Sequence, residues 1–145
     1  MSEILKKANQ DLKNFMQSHF PDHIEFDDDT YTIQKGSTQV MVKSSLITEK
    51  QAVIDCISHV VTDANVDEKL KEYLLRQNSE LKFGGFGLLF DGTIIYSQSV
   101  LAKGDFSEQL ESSLSAVASV SDYYDDIIVE MAGGKRAVDN VELED

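Results

Sequence analysis

The chain has 145 residues, and 26 acidic against 13 basic side chains give a formal net charge of −13. One domain is the expected unit at this length, and a field of that sign repels phosphate backbones and anionic headgroups, so neither nucleic acid nor a membrane surface is an expected partner. No apolar run approaches the ~20 residues of a membrane span, the start MSEILKKANQ lacks the apolar core of an export signal, and the single cysteine, Cys56, excludes an internal disulfide; a cytoplasmic protein is expected.

The acidity itself has a plain reading, solubility. A sharper one is attraction to basic or unfolded segments of other proteins.

The first element is a helix from about Ser2 to His19. Ile4, Leu5, Ala8, Leu12, Phe15, Met16 and Phe20 recur at three- and four-residue intervals and gather into one stripe. Pro21 ends it, because proline disfavours helical geometry in the residue before it. The period then changes to two. Ile24 and Phe26, Tyr31 and Ile33, and Val40 and Val42 alternate with polar residues around turns at Asp27-Asp28-Asp29 and Gly36-Ser37, which is hairpin chemistry.

From Gln51 to Ala64 the local signal points two ways. Val53, Ile54, Ile57, Val60, Val61 and Ala64 have helical spacing, and Thr48 with Gln51 could form a capping box. The segment is also rich in β-branched residues, which suit a pleated surface.

A second helix is marked by Asn65 as cap with Glu68 three residues on. Leu70, Tyr73, Leu74, Gln77 and Leu81 form its inner stripe. Leu75 lies off that stripe, either as surface or as a contact with a second subunit. Phe83-Gly84-Gly85-Phe86-Gly87-Leu88-Leu89-Phe90 follows as a strand, and Asp91-Gly92 predicts a two-residue type I′ turn into a return strand starting at Thr93. The glycines do not have dinucleotide or P-loop spacing; they read as a bulge or a close backbone approach.

The last helix opens at Asp105, with Glu108 completing a capping box, and its stripe from Phe106 through Ile127, Ile128 and Met131 stops at Gly133-Gly134. Such a helix is ~40 Å long, whereas a five-stranded sheet is ~24 Å wide with strands of ~20 Å. One end is therefore expected to overhang, leaving Ile127, Ile128 and Met131 to be covered by the first helix or a partner chain. Residues 133–145 read as an acidic, disordered tail, and 1–132 as the domain.

This order resembles the YbjN family, whose domains look like class I type III secretion chaperones, the Tir-chaperone group. The residues that carry the resemblance are Leu74-Leu75-Arg76-Gln77-Asn78, Phe83 through Leu89, Asp91-Gly92 with Ile95, Ser97 and Ser99, and the long last helix. The resemblance implies strand for 51–64 and an α+β fold, α-β-β-β-α-β-β-α, with helices packed on a five-stranded antiparallel sheet. It also implies a homodimer holding an extended segment of a partner protein, with no catalytic residues and no cofactor.

Other constellations fail on their own chemistry. His19, His23, Cys56 and His59 lack the closing pair of a zinc site. Asp27-Asp28-Asp29 begins like a calcium loop but meets Thr32 where glycine belongs and Thr38 where glutamate belongs. Asp125, Asp126 and Glu130 suit a solvated helix face, and the serines from Ser112 to Ser121 have no histidine at a defined spacing. The expectation is thus a non-enzymatic protein-binding module without metal, with Leu75, Phe83, Phe86, Ile127, Ile128 and Met131 as partner or dimer contacts. The competing reading is a small-ligand sensor or enzyme with its pocket between the last helix and the sheet, near Tyr96, Tyr123 and Tyr124.

Overall fold

The computed structural model describes residues 2–27, 29–36 and 38–137. Its elements in chain order are α1 (Glu3–His19), β1 (Ile24–Phe26), β2 (Thr30–Lys35), β3 (Thr38–Thr48), β4 (Gln51–Thr62), α2 (Glu68–Glu80), β5 (Gly85–Leu88), β6 (Ile94–Leu101), α3 (Ser107–Ala132) and β7 (Lys135–Arg136). The α+β class and the helix-on-antiparallel-sheet arrangement are as expected. The strand count is seven rather than five: the sheet runs β1-β2-β3-β4-β6-β5, with β7 on β4. Four strands, not three, precede α2, because the Asp27–Asp29 turn makes β1 and β2 a hairpin of their own. Its tightness is local: Asp27 and Asp29 both have positive φ, and Thr30 N–H donates to the Asp27 carbonyl at 3.4 Å.

The ambiguous segment is a strand. Thr48 and Gln51 face each other across the β3–β4 turn instead of capping a helix, and the Thr48 hydroxyl accepts from Lys50 N–H at 3.1 Å. β4 is the middle of the molecule: Ala52, Ile54, Cys56, Ser58 and Val60 are buried, with α1 and α3 packed over this strand. The opposite face is largely polar, as an antiparallel sheet permits. There Asp55 accepts hydrogen bonds from Ser45 (2.7 Å) and Ser99 (2.6 Å).

Two helix starts differ from expectation. Asp67, not Asn65, caps α2, accepting from Leu70 N–H at 2.9 Å. Asn65 is held back in a turn, its N–H given to the Ala132 carbonyl and its carbonyl taken by Asp67 N–H. Asp105 likewise lies one residue before the cap of α3, which is Phe106 with no side-chain bond. The Asp105 carboxylate accepts from Ser107 N–H at 3.1 Å, and the Ser107 hydroxyl, followed by that N–H, holds its carboxyl below the usual range.

The β5–β6 turn also departs from the two-residue form. Leu89 N–H donates to the Thr93 carbonyl and Gly92 N–H to the Leu89 carbonyl, with positive φ at Gly92 but not at Asp91. This is the three-residue loop in which a turn is followed by one left-handed glycine. Asp91 instead accepts from Thr93 N–H at 2.9 Å.

The expected overhang of α3 does not arise. β3 and β4 are 11 and 12 residues long, so β4 spans ~40 Å, as does the 26-residue α3. Ile128 is fully buried, and Ala64 and Val66 pack against the same core. Beyond α3, Arg136 pairs with Val61 and Lys135 with Thr62, and Ala137 is buried. The first residues of the segment read as a tail are thus ordered against β4; 138–145 lie outside the described residues.

Candidate partner-binding surface

The side chains that could meet a partner are set by α2, β5 and the loop into β6. The inner face of α2 is fixed by Leu70, which is buried, and by half-buried Tyr73 and Leu74. That leaves Leu75 pointing out, 71% exposed, next to the Glu72–Arg76 ion pair of 2.9 Å. Phe83 is half-exposed, while its carbonyl accepts the Tyr96 hydroxyl. At the hairpin tip Leu88 and Leu89 are exposed and Phe90 fully so.

Phe86 has another role. Its ring centroid lies 5.0 Å from that of Tyr96 and 5.2 Å from that of Tyr124, both edge-on. Tyr124 in turn meets Tyr73 and Tyr123 edge-on and donates to the Gln77 amide oxygen at 2.8 Å. This ring cluster occupies the place expected for a ligand pocket near Tyr96, Tyr123 and Tyr124. Burial raises the phenol pKa of Tyr96, with Tyr124 adding to it, and burial likewise raises Tyr124, with Tyr73 and Tyr123 adding.

The six residues singled out in the sequence therefore separate. Leu75, Phe83 and Met131 are exposed; Phe86 and Ile127 are half-buried against the core; Ile128 is inside it. Ile128 leaves the contact set because the stripe of α3 that carries it faces the sheet along its whole length. Leu88, Leu89 and Phe90 join the surface. Their signal was present in sequence, as three apolar residues running directly into an Asp-Gly turn cannot all face a core.

The remaining chemistry-bearing residues stay apart. Cys56 is buried on the helix side of β4, where loss of hydration pushes its thiol up to about 12, while His59 is exposed. His19 and His23 each place Nδ1 against a carbonyl of their own segment, Phe15 and Phe20 respectively. Among the described residues, no three His, Cys, Asp or Glu side chains are arranged to hold a metal ion, and no helix is long and apolar enough to cross a membrane.

Comparison with known proteins adds two findings. A family model described as T3SS (YopN, CesT) and YbjN peptide-binding chaperone 1 matches residues 7–140. The fold is similar to a chain in the crystal structure of the ExsC-ExsE complex, with a TM-score of 0.64 and 16% identity, over 88% of this chain and 97% of that one. No curated protein matches the sequence.

Proposed function

This chain belongs to the family of T3SS (YopN, CesT) and YbjN peptide-binding chaperones, and on that premise we propose that it is a non-enzymatic homodimer that holds an extended segment of a partner protein in the cytoplasm. The observation that carries the reading is the apolar surface left over after the core is complete. Leu75 on α2, Phe83 before β5 and Leu88-Leu89-Phe90 at the hairpin tip stay in water, although other residues close the hydrophobic interior. A run of exposed apolar side chains at a hairpin tip, on a strongly acidic chain, supports a surface that meets another protein.

Two tasks divide this surface in the proposal. Leu75, flanked by a charge pair on a regular helix face, suits a twofold contact in which the same patch meets itself. The hairpin tip and Phe83 suit a client. Residues 2–137 are taken as one domain that carries both.

Size-exclusion chromatography with light scattering tests the first task. The expected result is a dimer that Leu75→Glu converts to monomer without loss of helical circular dichroism. Mass spectrometry of proteins co-purified at native expression level tests the second, with a reproducible client lost on Phe90→Ser. A monomer that retains no partner overturns the proposal.

A further inference from the structure

The edge of β6 changes character halfway along, and the hydrogen-bond phase shows how. Backbone groups in an antiparallel ladder point alternately toward one neighbour and the other. Ala102 N–H donates to the Ala52 carbonyl, so the even-numbered residues of β6 face β4 and the odd ones face β5. Leu89 N–H bonding to the Thr93 carbonyl gives the same phase from the other side. β5, however, reaches only as far as the Gly85–Ser97 pair. At Gly84 the chain departs, with φ +88° and so close to the strand that an added Cβ would lie 2.3 Å from the Ser97 carbonyl oxygen. The N–H and C=O groups of Ser99 and Leu101 therefore point out of the sheet with no strand beside them among the described residues.

A groove of about 500 Å³ lies along this edge. It is lined by Phe83, by Gln98, Ser99 and Val100 of β6, and by Glu108, Gln109 and Ser112 of α3. The side-chain oxygen of Gln98 is buried there and has no hydrogen-bond partner among the described residues. A buried acceptor left unpaired is costly, and a donor supplied from outside removes that cost.

We propose that this edge takes an extended peptide segment bearing lysine or arginine, which continues the line of β5 alongside Ser99–Leu101. The segment bonds to the outward backbone groups of Ser99 and Leu101, places an apolar side chain between Phe83 and Val100, and offers a donor to Gln98. Glu108 in the groove lining and the net charge of −13 select a basic segment over a second copy of this acidic chain. The inference rests on the peptide-binding reading and names its site and the chemistry of what it holds.

The test uses the full chain and two fluorescein-labelled, end-capped heptapeptides, one alternating valine with lysine and one alternating valine with glutamate. Fluorescence anisotropy is expected to show binding of the lysine peptide and little binding of the glutamate peptide. Amide exchange followed by NMR should slow at Ser99 and Leu101. Leu101→Pro removes only an outward N–H, leaving the ladder to β4 intact, and should weaken binding about fivefold or more, the equivalent of one hydrogen bond. Leu101→Ala should leave binding unchanged. Glu108→Gln should narrow the preference for lysine over glutamate, and it reports even where the proline variant folds poorly.

Binding that survives Leu101→Pro, with exchange slowed elsewhere, overturns the edge while peptide binding itself stands. Failure of the lysine peptide to bind, while a cellular client is still retained, overturns the basic extended occupant. Dissociation of a dimer by Leu101→Pro assigns the edge to a second copy and overturns the proposal as well.

Discussion

The carboxamide of Asn78 stands in for a strand beside Phe86. Phe86 N–H donates to Asn78 Oδ1 at 2.8 Å, and Asn78 Nδ2 donates to the Phe86 carbonyl at 3.4 Å. Both groups face away from β6, so α2 reaches over the sheet edge with one side chain and closes it at this residue. An edge satisfied in this way is protected against pairing with other chains.

Removing that closure should be felt in stability. Asn78→Ala leaves a part-buried N–H and C=O unpaired and is expected to cost about 1–2 kcal/mol in urea unfolding. Asn78→Asp keeps the acceptor and loses only the donor, so it should cost less. Equal losses for the two variants would show that the 2.8 Å bond contributes nothing measurable and would refute this account.

Gly134 is predicted to be intolerant of any side chain. An added Cβ would lie 2.4 Å from the Thr62 carbonyl oxygen and 2.7 Å from Ala64 N, and φ is +85°. These contacts are backbone and cannot swing away. Gly134→Ala should destabilise the protein by about 1–3 kcal/mol and free Lys135–Arg136 from β4. Limited trypsin digestion would detect this as faster cleavage after Lys135 and Arg136.

Asp125 should make stability fall as pH rises through a defined window. Burial pushes its carboxyl up to about 6; the Asp126 N–H and Arg136 oppose the shift, and Asp126 and Asp122 add to it. In the unfolded chain the group titrates near ~4. Between ~4 and about 6 the folded state holds a proton that the unfolded state has lost, so this group's stabilisation is full below the window and lost above it. Asp125→Asn keeps the acceptor for Asp126 N–H. Its Tm should gain on that of the parent between pH 4 and pH 7, as scanning calorimetry at both pH values would show; a constant difference would refute this account.

Cys56 should be inert in the native protein. It is fully buried, and its thiol is pushed up to about 12, mainly by burial, with the neighbouring Ser113 side chain opposing and Asp55 adding. A disulfide reagent at pH 8 is expected to label it only after unfolding, at a rate that tracks denaturant concentration.

Much of this fold could be read in advance, and the misses have physical causes. The stripes of α1 and α3 were legible because each helix has one buried face. Pro21 and Gly133 ended those helices where expected. β4 was not legible alone, since a strand buried by helices on one face and bounded by long neighbours shows no clean alternation; Val53 and Val61 are buried along with Ala52, Ile54 and Val60. Caps differ from expectation because the backbone of Asn65 is drawn into a turn, bonded to Ala132 and Asp67, so that Asp67 reaches the helix start first, while the Asp105 carboxylate bonds Ser107 N–H one residue before the cap position. For the surface, Leu75 was recognisable from the helix period. Ile128 was not, because its exposure depended on strand lengths twice the usual value. The free edge at Ser99 and Leu101 depends on where β5 stops, which no local pattern announces.

The central position of β4 has a consequence for how the chain acquires its structure. β4 is bordered by β3, its immediate neighbour in sequence, by β6 from beyond α2, and by β7 from the far end of α3. The β3–β4 pair closes across a two-residue turn and can form within microseconds. The pairing with β6 must wait for a long loop to close, and that with β7 for a longer one. Until then one side of the most apolar strand stands open in the nascent protein.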